Sequence, residues 1–327
     1  MLDSHGREID YIRISITDRC NLRCKYCMPE SGIVSMSHEE ILSFEEILRL
    51  AVIFEDVGIN KFKITGGEPL VRHGVADLIG ELKDLPETEQ VTLTTNGVLL
   101  TEYIRRLEAA GLDAVNISLD TLDSLKFREI SRIGNLSTVL SGIQAAIESD
   151  IPKVKINCVP MDGFNLDEIG NIARLAENNP ITVRFIEMMP IGEGSCYSPI
   201  DNAEVLKRLE AELGTMEEIS SHMYGNGPAL YYQPRGFLGK IGLISAVSHA
   251  FCDKCNRVRL TADGFLKLCL YYREGTDLRA LLRGGATDSD IRTAIVEAIN
   301  SKPLHHDFKH EEMLGNIEEG RMSNFGG

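Results

Sequence analysis

Asp18-Arg19-Cys20-Asn21-Leu22-Arg23-Cys24-Lys25-Tyr26-Cys27-Met28 is the stretch that the remaining sequence is best read as serving. It places Cys20, Cys24 and Cys27 in a C-x3-C-x2-C run, just after an apolar alternation at Ile12, Ile14 and Ile16. Thiolates two or three residues apart suit a metal centre better than disulfides. Zinc normally closes its shell with four protein ligands, and no further Cys or His occurs in residues 28–37. Three ligands on an iron–sulfur cube leave one iron open for a small molecule. A partial zinc knuckle is the plainer alternative on spacing alone.

The chain has 327 residues, 43% of them hydrophobic and 25% charged, an ordinary globular profile with room for a sizeable core and two lobes. No apolar run has membrane-spanning length, and the N-terminus lacks a signal-peptide pattern. Eight cysteines without an export signal predict a reducing cytoplasm and metal-bound thiols. A net charge of −15 argues against broad binding to nucleic acid or an anionic membrane surface. An anionic substrate therefore needs a local basic cluster.

Working outward from the cysteines, the pattern alternates strand, turn and helix from residue 9 to about 187. Strands are expected over 11–16, 61–65, 91–95, 114–119, 153–158 and 182–186. Ser43-Phe44-Glu45-Glu46 is a capping box opening a helix, with Gly58 at its C-terminal cap. A second helix opens at Thr101 and stops at Gly111, and a third is expected over 165–177. Strands separated by helix-length crossovers pair in parallel. The expected fold is therefore α/β, a partial (βα)6 TIM-like barrel over 1–190. After a Gly/Ser/Pro-rich linker at 191–199 comes a β-rich and helical C-terminal domain over 191–327. That domain holds a helix over about 201–212, turns at Gly225, Gly227, Pro234, Gly236 and Gly239, and a helix over 288–300.

Side-chain parity adds a functional expectation. Arg13, Lys63, Thr92, Thr94, Asn116, Ser118, Lys155 and Asn157 fall opposite the apolar residues of their strands. Helices must cover the apolar face, so the polar face lines a wet lumen, unlike the packed lumen of a closed eight-stranded barrel. Polar residues also gather at the strands' C-terminal ends, where ligands bind in parallel α/β architectures. Gly66 and Gly67 allow close backbone approach to a ligand or make a plain tight turn. Glu68 is either an acceptor for an ammonium group or a solvated carboxylate.

A second trio, Cys252, Cys255 and Cys269, is spaced C-x2-C-x13-C around a strand–turn–strand at 257–268. A zinc site completed by His249 and a second three-cysteine cluster both fit that spacing. Arg257 and Arg259 lie two apart on a strand and point the same way. With Arg13, Lys63 and Lys155 they supply the local positive patch that the acidic chain otherwise lacks. Cys158 reads as core, and Cys196 in the linker has no assigned role.

The C-x3-C-x2-C run followed by Gly66-Gly67-Glu68-Pro69 resembles the radical S-adenosylmethionine (SAM) enzymes. Ile244-Ser245, Ser248-His249 and Phe251-Cys252-Asp253-Lys254-Cys255-Asn256-Arg257-Val258-Arg259-Leu260 narrow the resemblance to the GTP 3′,8-cyclases of molybdenum-cofactor biosynthesis. It spans Arg13 to the terminal Gly326-Gly327. The resemblance implies two [4Fe–4S] clusters, one on Cys20, Cys24 and Cys27 that chelates SAM and one on Cys252, Cys255 and Cys269 that takes the guanine ring. It implies SAM contacts at Tyr26, Gly67, Glu68, Ser118 and Met189. GTP contacts fall at Arg13, Lys63, Thr94, Lys155, Arg257, Val258 and Arg259, with Arg184 a further candidate for the triphosphate. Arg13, Arg257, Arg259, Gly326 and Gly327 would support the chemistry. Position 63 is more often arginine in this family; lysine keeps the charge and loses the bidentate fork.

The implied reaction takes hydrogen from C3′ of GTP with a 5′-deoxyadenosyl radical and closes C3′ onto guanine C8. The implied partners are GTP, a low-potential electron donor, the cyclic pyranopterin monophosphate synthase that receives the product, and a second copy in a homodimer; no nucleic acid or membrane is expected. A radical SAM peptide maturase with an auxiliary cluster is the rival enzyme. That class usually carries more C-terminal cysteines and needs no triphosphate grip. A non-catalytic iron–sulfur or zinc redox sensor is the rival from another class, and it has no use for the Gly66–Pro69 loop or a polar lumen.

Overall fold

Apolar side chains alternating with polar ones build the first strand, β1 (Tyr11–Ser15), and the period recurs in β2 (Lys61–Thr65), β3 (Gln90–Thr95), β4 (Ala114–Ser118), β5 (Val154–Cys158) and β6 (Thr182–Ile186). The structure is a computed structural model describing residues 1–219, 227–249, 251–306, 318 and 325. The six strands pair in parallel and in chain order, which is the expected partial (βα)6 barrel. The crossovers carry α1 (Phe44–Asp56), α2 (Val75–Lys83), α3 (Leu100–Ala109), α4 (Ser124–Ser131), α5 (Leu136–Ile147) and α6 (Ile169–Ala173). They cover the apolar face, where Ile12, Ile14, Phe62, Ile64, Leu93, Val115, Ile117, Ile156 and Cys158 are fully buried.

The capping box at α1 is present in full. Ser43 Oγ accepts from the Glu46 N–H at 3.1 Å, Glu46 accepts from the Ser43 N–H at 2.8 Å, and Gly58 follows with φ +84°. Two helices differ from expectation. Gly97 C=O already accepts from the Leu100 N–H at 3.2 Å, so α3 starts at Leu100 rather than Thr101. Only Ile169–Ala173 of the third helical segment is α-helical, and Arg174–Ala176 tightens into a 3₁₀ turn.

Beyond residue 190 come α7 (Asn202–Leu213), β7 (Met216–Ile219), β8 (Leu230–Pro234), β9 (Lys240–Ile244), β10 (Arg257–Leu260), β11 (Phe265–Lys267), β12 (Gly275–Asp277), α8 (Leu278–Arg283) and α9 (Asp288–Asn300). These strands extend the barrel sheet at both of its edges. β9 pairs in parallel with β6, and β10 in parallel with β1. Among the described residues the result is one sheet in the order β12-β11-β10-β1-β2-β3-β4-β5-β6-β9-β8-β7. The 191–199 stretch contains a 3₁₀ turn, Gly192–Cys196, and Cys196 is exposed. Gly225 lies outside the described residues. No helix among the described residues is long and apolar enough to cross a membrane.

Candidate functional site

The cysteine loop turns on its own backbone, with Cys27 N–H and Met28 N–H donating to Cys24 C=O at 2.9 and 3.1 Å. The Gly66-Gly67 pair lies against it: Gly67 N–H donates to Thr17 C=O at 2.7 Å and Glu68 N–H to Arg19 C=O at 2.8 Å. A Cβ on Gly66 would stand 2.6 Å from Thr17 O, and one on Gly67 2.4 Å from Arg19 O. The two glycines are therefore required by the approach of the cysteine loop's own backbone, whatever ligand also comes close.

Glu68 is not the solvated carboxylate of the plainer reading. It is 1% exposed and does not line the cavity. Its carboxylate accepts from Leu70 N–H, Thr95 Oγ1 and Asn96 N–H at 3.0, 2.8 and 2.6 Å, bracing the loop against the end of β3. Burial pushes its pKa up to about 7 in spite of those donors.

One cavity of about 350 Å³ occupies the lumen, and all six cysteines of the two trios line it. Tyr26, Gly67, Ser118 and Met189 line it beside the first trio. Tyr26 Oη donates to Asp120 Oδ2 at 2.7 Å. Burial pushes the Cys20 thiol up to about 11, with the nearby Glu68 carboxylate adding to it. Burial also lifts Cys24 well above the usual thiol range, reinforced by Cys27, Asp120 and Cys20.

The second trio has cationic surroundings. Although burial pushes Cys255 up, Lys302, Arg257 and Arg7 carry it below the ordinary thiol value. Cys252 is raised by burial, and His306 donates its backbone N–H to that sulfur. Arg7 holds this end together. It donates to the carbonyls of Cys252 (3.0 Å), Leu304 (2.9 Å), Pro303 (2.9 Å) and Lys302 (3.4 Å), and Asp3 neutralises it at 2.7 Å. Lys302, buried, donates to Leu268 C=O.

Between the trios the register assembles a row of cations. Arg259 pairs with Arg13 across β10 and β1, and Arg13 with Lys63 across β1 and β2, so all three side chains share the lumen face. Lys155, Arg184 and Arg257 line the same cavity. Arg184 donates to Asn157 Oδ1 at 2.6 Å and Asn116 Oδ1 at 2.7 Å, and the Arg257 guanidinium lies 5.1 Å from the Phe251 ring centre. Arg257 Nε is buried without a hydrogen-bond partner among the described residues. Burial, then mutual repulsion with Arg13, Arg184, Lys155 and Arg257, drives the Lys63 pKa well below its ordinary value. Burial and Arg184 bring Lys155 down to about 7. Like charges side by side on neighbouring strands cost stability unless an anion joins them, so this site calls for a polyanion.

Thr94 lines the cavity as expected. Val258 does not: 1% exposed, its side chain packs in the apolar core on the opposite face from Arg257 and Arg259. Only its backbone is available to the lumen. His249 is exposed and away from the cavity, whereas His306 lines it near Cys252. Gly326 and Gly327 lie outside the described residues, while Phe325, just before them, is buried with its C=O accepting from Arg259 Nη1 at 3.2 Å. The sequence left Arg7, Lys302, Asp120 and Lys267 without these roles, since their partners are remote in the chain. Lys267 is fully buried and grips Glu318 and the Phe325 ring.

Among the described residues no three His, Cys, Asp or Glu side chains meet tightly enough to hold a single metal ion. A tetrahedral zinc needs sulfurs within about 4 Å of one another. An iron–sulfur cube binds each thiolate to a different iron and asks for a wider triangle. Two cysteine trios facing one buried cavity fit that larger group.

The family model described as "Radical SAM superfamily" matches residues 14–176, and the model described as "Molybdenum Cofactor Synthesis C" matches 181–308. A curated GTP 3′,8-cyclase of Clostridium perfringens (strain SM101 / Type A) is 46% identical over 312 residues, covering 95% of this chain and 96% of that relative. The GTP 3′,8-cyclase of Heliobacterium modesticaldum is 47% identical over 308 residues, 94% of each chain. Among solved structures, Streptococcus suis SuiB bound to precursor peptide SuiA shares the fold at a TM-score of 0.57 and 14% identity, over 95% of this chain and 70% of that one.

Proposed function

The chain belongs to the GTP 3′,8-cyclase family of radical SAM enzymes, and from that premise we propose how its residues divide the reaction between them. It is an enzyme acting on GTP in molybdenum-cofactor biosynthesis. With SAM on a reduced [4Fe–4S] cluster, the chemistry supplied would be a 5′-deoxyadenosyl radical that takes the C3′ hydrogen of GTP; closure of C3′ on guanine C8, with one electron from the low-potential donor and one proton from solvent, would complete 3′,8-cyclo-7,8-dihydro-GTP.

Residues 1–190 provide the SAM half, with Cys20, Cys24 and Cys27 as cluster ligands and Tyr26, Gly67, Ser118 and Met189 against SAM. Residues 191–327 provide Cys252, Cys255 and Cys269, holding a second [4Fe–4S] cluster beside the guanine, and the two segments share the grip on the triphosphate. Arg13, Arg259 and Lys63 take the triphosphate as one row, and Arg257, Lys155 and Arg184 close around it. Thr94 and the Val258 backbone complete the grip. Orientation is the protein's main contribution: the cation row holds the nucleotide by its phosphates, and the buried lumen keeps water from a reactive centre. Gly326 and Gly327 support the chemistry in this reading; they follow Phe325, whose C=O accepts from Arg259.

The single observation that carries the substrate assignment is the Arg259–Arg13–Lys63 row inside a chain of net charge −15. A peptide maturase has no use for that row, and the likeness to SuiB is one of fold alone. We place the enzyme in the cytoplasm as a homodimer, fed by a low-potential electron donor and passing product to cyclic pyranopterin monophosphate synthase. The test is anaerobic reconstitution with SAM, reductant and GTP. About eight irons per chain and a product isomeric with GTP are expected. SAM cleavage with no GTP-derived product would defeat the substrate assignment.

A further inference from the structure

Asn96, at the carboxyl end of β3, is held from three directions. Its backbone N–H donates to Glu68 Oε2 at 2.6 Å, its Oδ1 accepts from Val98 N–H at 3.0 Å, and its Nδ2 donates to Asn21 Oδ1 at 2.7 Å. A backbone N–H requires an acceptor, so the Val98 contact assigns Oδ1 and turns the amide nitrogen toward the cysteine loop. Nδ2 then stands 3.7 Å from Cys20 Sγ, which also receives Leu22 N–H at 3.4 Å. The Leu22 bond is local to the loop. The Asn96 bond arrives from a different strand, on a side chain fixed by two other partners and a backbone held by a third.

We propose that Asn96 donates an N–H···S bond to the Cys20 ligand and thereby sets the reduction potential of the SAM-binding cluster. A donor aimed at a ligand sulfur withdraws electron density from it and stabilises the cluster's added electron. The cluster takes one electron from a low-potential donor, and no protein bond is made or broken. Glu68 and Asn21 are positioning residues: one holds the Asn96 backbone, the other its amide. The inference rests on the reading that Cys20, Cys24 and Cys27 hold that cluster. It gives the Gly66–Pro69 loop a second task, since Glu68 orients the residue that tunes the metal.

Asn96→Ser and Asn96→Asp both keep a short acceptor for Val98 N–H while removing the Nδ2 amide donor to sulfur, which the shorter serine hydroxyl does not replace in position. Each is made in the full chain and reconstituted anaerobically. Iron content is measured with the reduced-cluster electron paramagnetic resonance signal that changes on adding SAM, at a series of fixed solution potentials. At the wild-type midpoint the reduced-to-oxidised ratio is expected to fall about threefold in Asn96→Ser and about tenfold in Asn96→Asp, where a carboxylate faces the thiolate. Asn21→Ala, which leaves the donor in place, should move it less. Wild-type ratios in both Asn96 variants at full iron overturn the proposal. Loss of iron in both overturns it too, because Asn96 would then be holding the loop. A wild-type protein with no SAM-responsive signal removes the cluster assignment underneath.

Discussion

In residues 18–28 three thiols come from one short loop braced by Gly66–Glu68, and their charged neighbours include the Glu68 and Asp120 carboxylates. In residues 251–269 the three thiols come from the two ends of a β-hairpin, and their neighbours are Arg7, Arg257 and Lys302. The same ligand type and number thus sit in a mixed field at one end of the cavity, where Arg23 and Arg132 offset the carboxylates, and in a cationic field at the other. The difference teaches that the specificity of each site comes less from its cysteines than from what surrounds them.

Substituting the cysteines tests the division most severely. Cys24→Ala should lower iron from about eight to about four per chain and abolish SAM cleavage, while Cys255→Ala should lose the same iron, keep reductive SAM cleavage and form no GTP-derived product. Equal loss of SAM cleavage in both would erase the distinction. Next in size, Arg13→Ala and Arg259→Ala should each lower kcat/KM for GTP about 10²–10³-fold while leaving SAM affinity within about twofold, because each removes a charge-assisted phosphate contact. Steady-state kinetics and SAM titration read both quantities.

Arg7→Ala leaves Asp3 buried without its partner and frees four carbonyls, so thermal or denaturant unfolding should show a loss of about 3 kcal/mol. Iron should be lost selectively from the second site, with the SAM-responsive signal intact. The smallest effect is on pH dependence. The free-enzyme pKa of Lys155, about 7, must rise when a triphosphate binds. GTP affinity is therefore full below pH 7 and declines above it, by at most about tenfold per pH unit, until the bound-state pKa is reached. Lys155→Arg should flatten that decline, as binding isotherms from pH 6 to 9 would show.

Much of this was legible from spacing and parity. The six parallel strands, the α1 capping box and the lumen face carrying Arg13, Lys63 and Lys155 all follow from period-two alternation and helix-length gaps, which are local signals. Other assignments needed contacts that spacing does not encode. Glu68 looks like a loop carboxylate until Thr95 and Asn96 are seen to occupy it. His249 lies near Cys252 in sequence, yet His306 is the histidine lining the cavity near that cysteine, because residues 302–306 are brought there through Arg7 and Lys302. Val258 alternates out of the lumen by the same parity that puts its two arginine neighbours in.

By itself the sequence determined the two thiol trios, the parallel barrel and the sign of each lumen side chain, because metal spacing, strand period and crossover length act over short stretches of chain. Tertiary packing alone docks β10 beside β1, bringing Arg259 level with Arg13, and gathers Arg7, Arg257 and Lys302 at the second trio. Those outcomes join residues some 250 positions apart, and the field at a buried site is summed over everything packed around it, which no local pattern records.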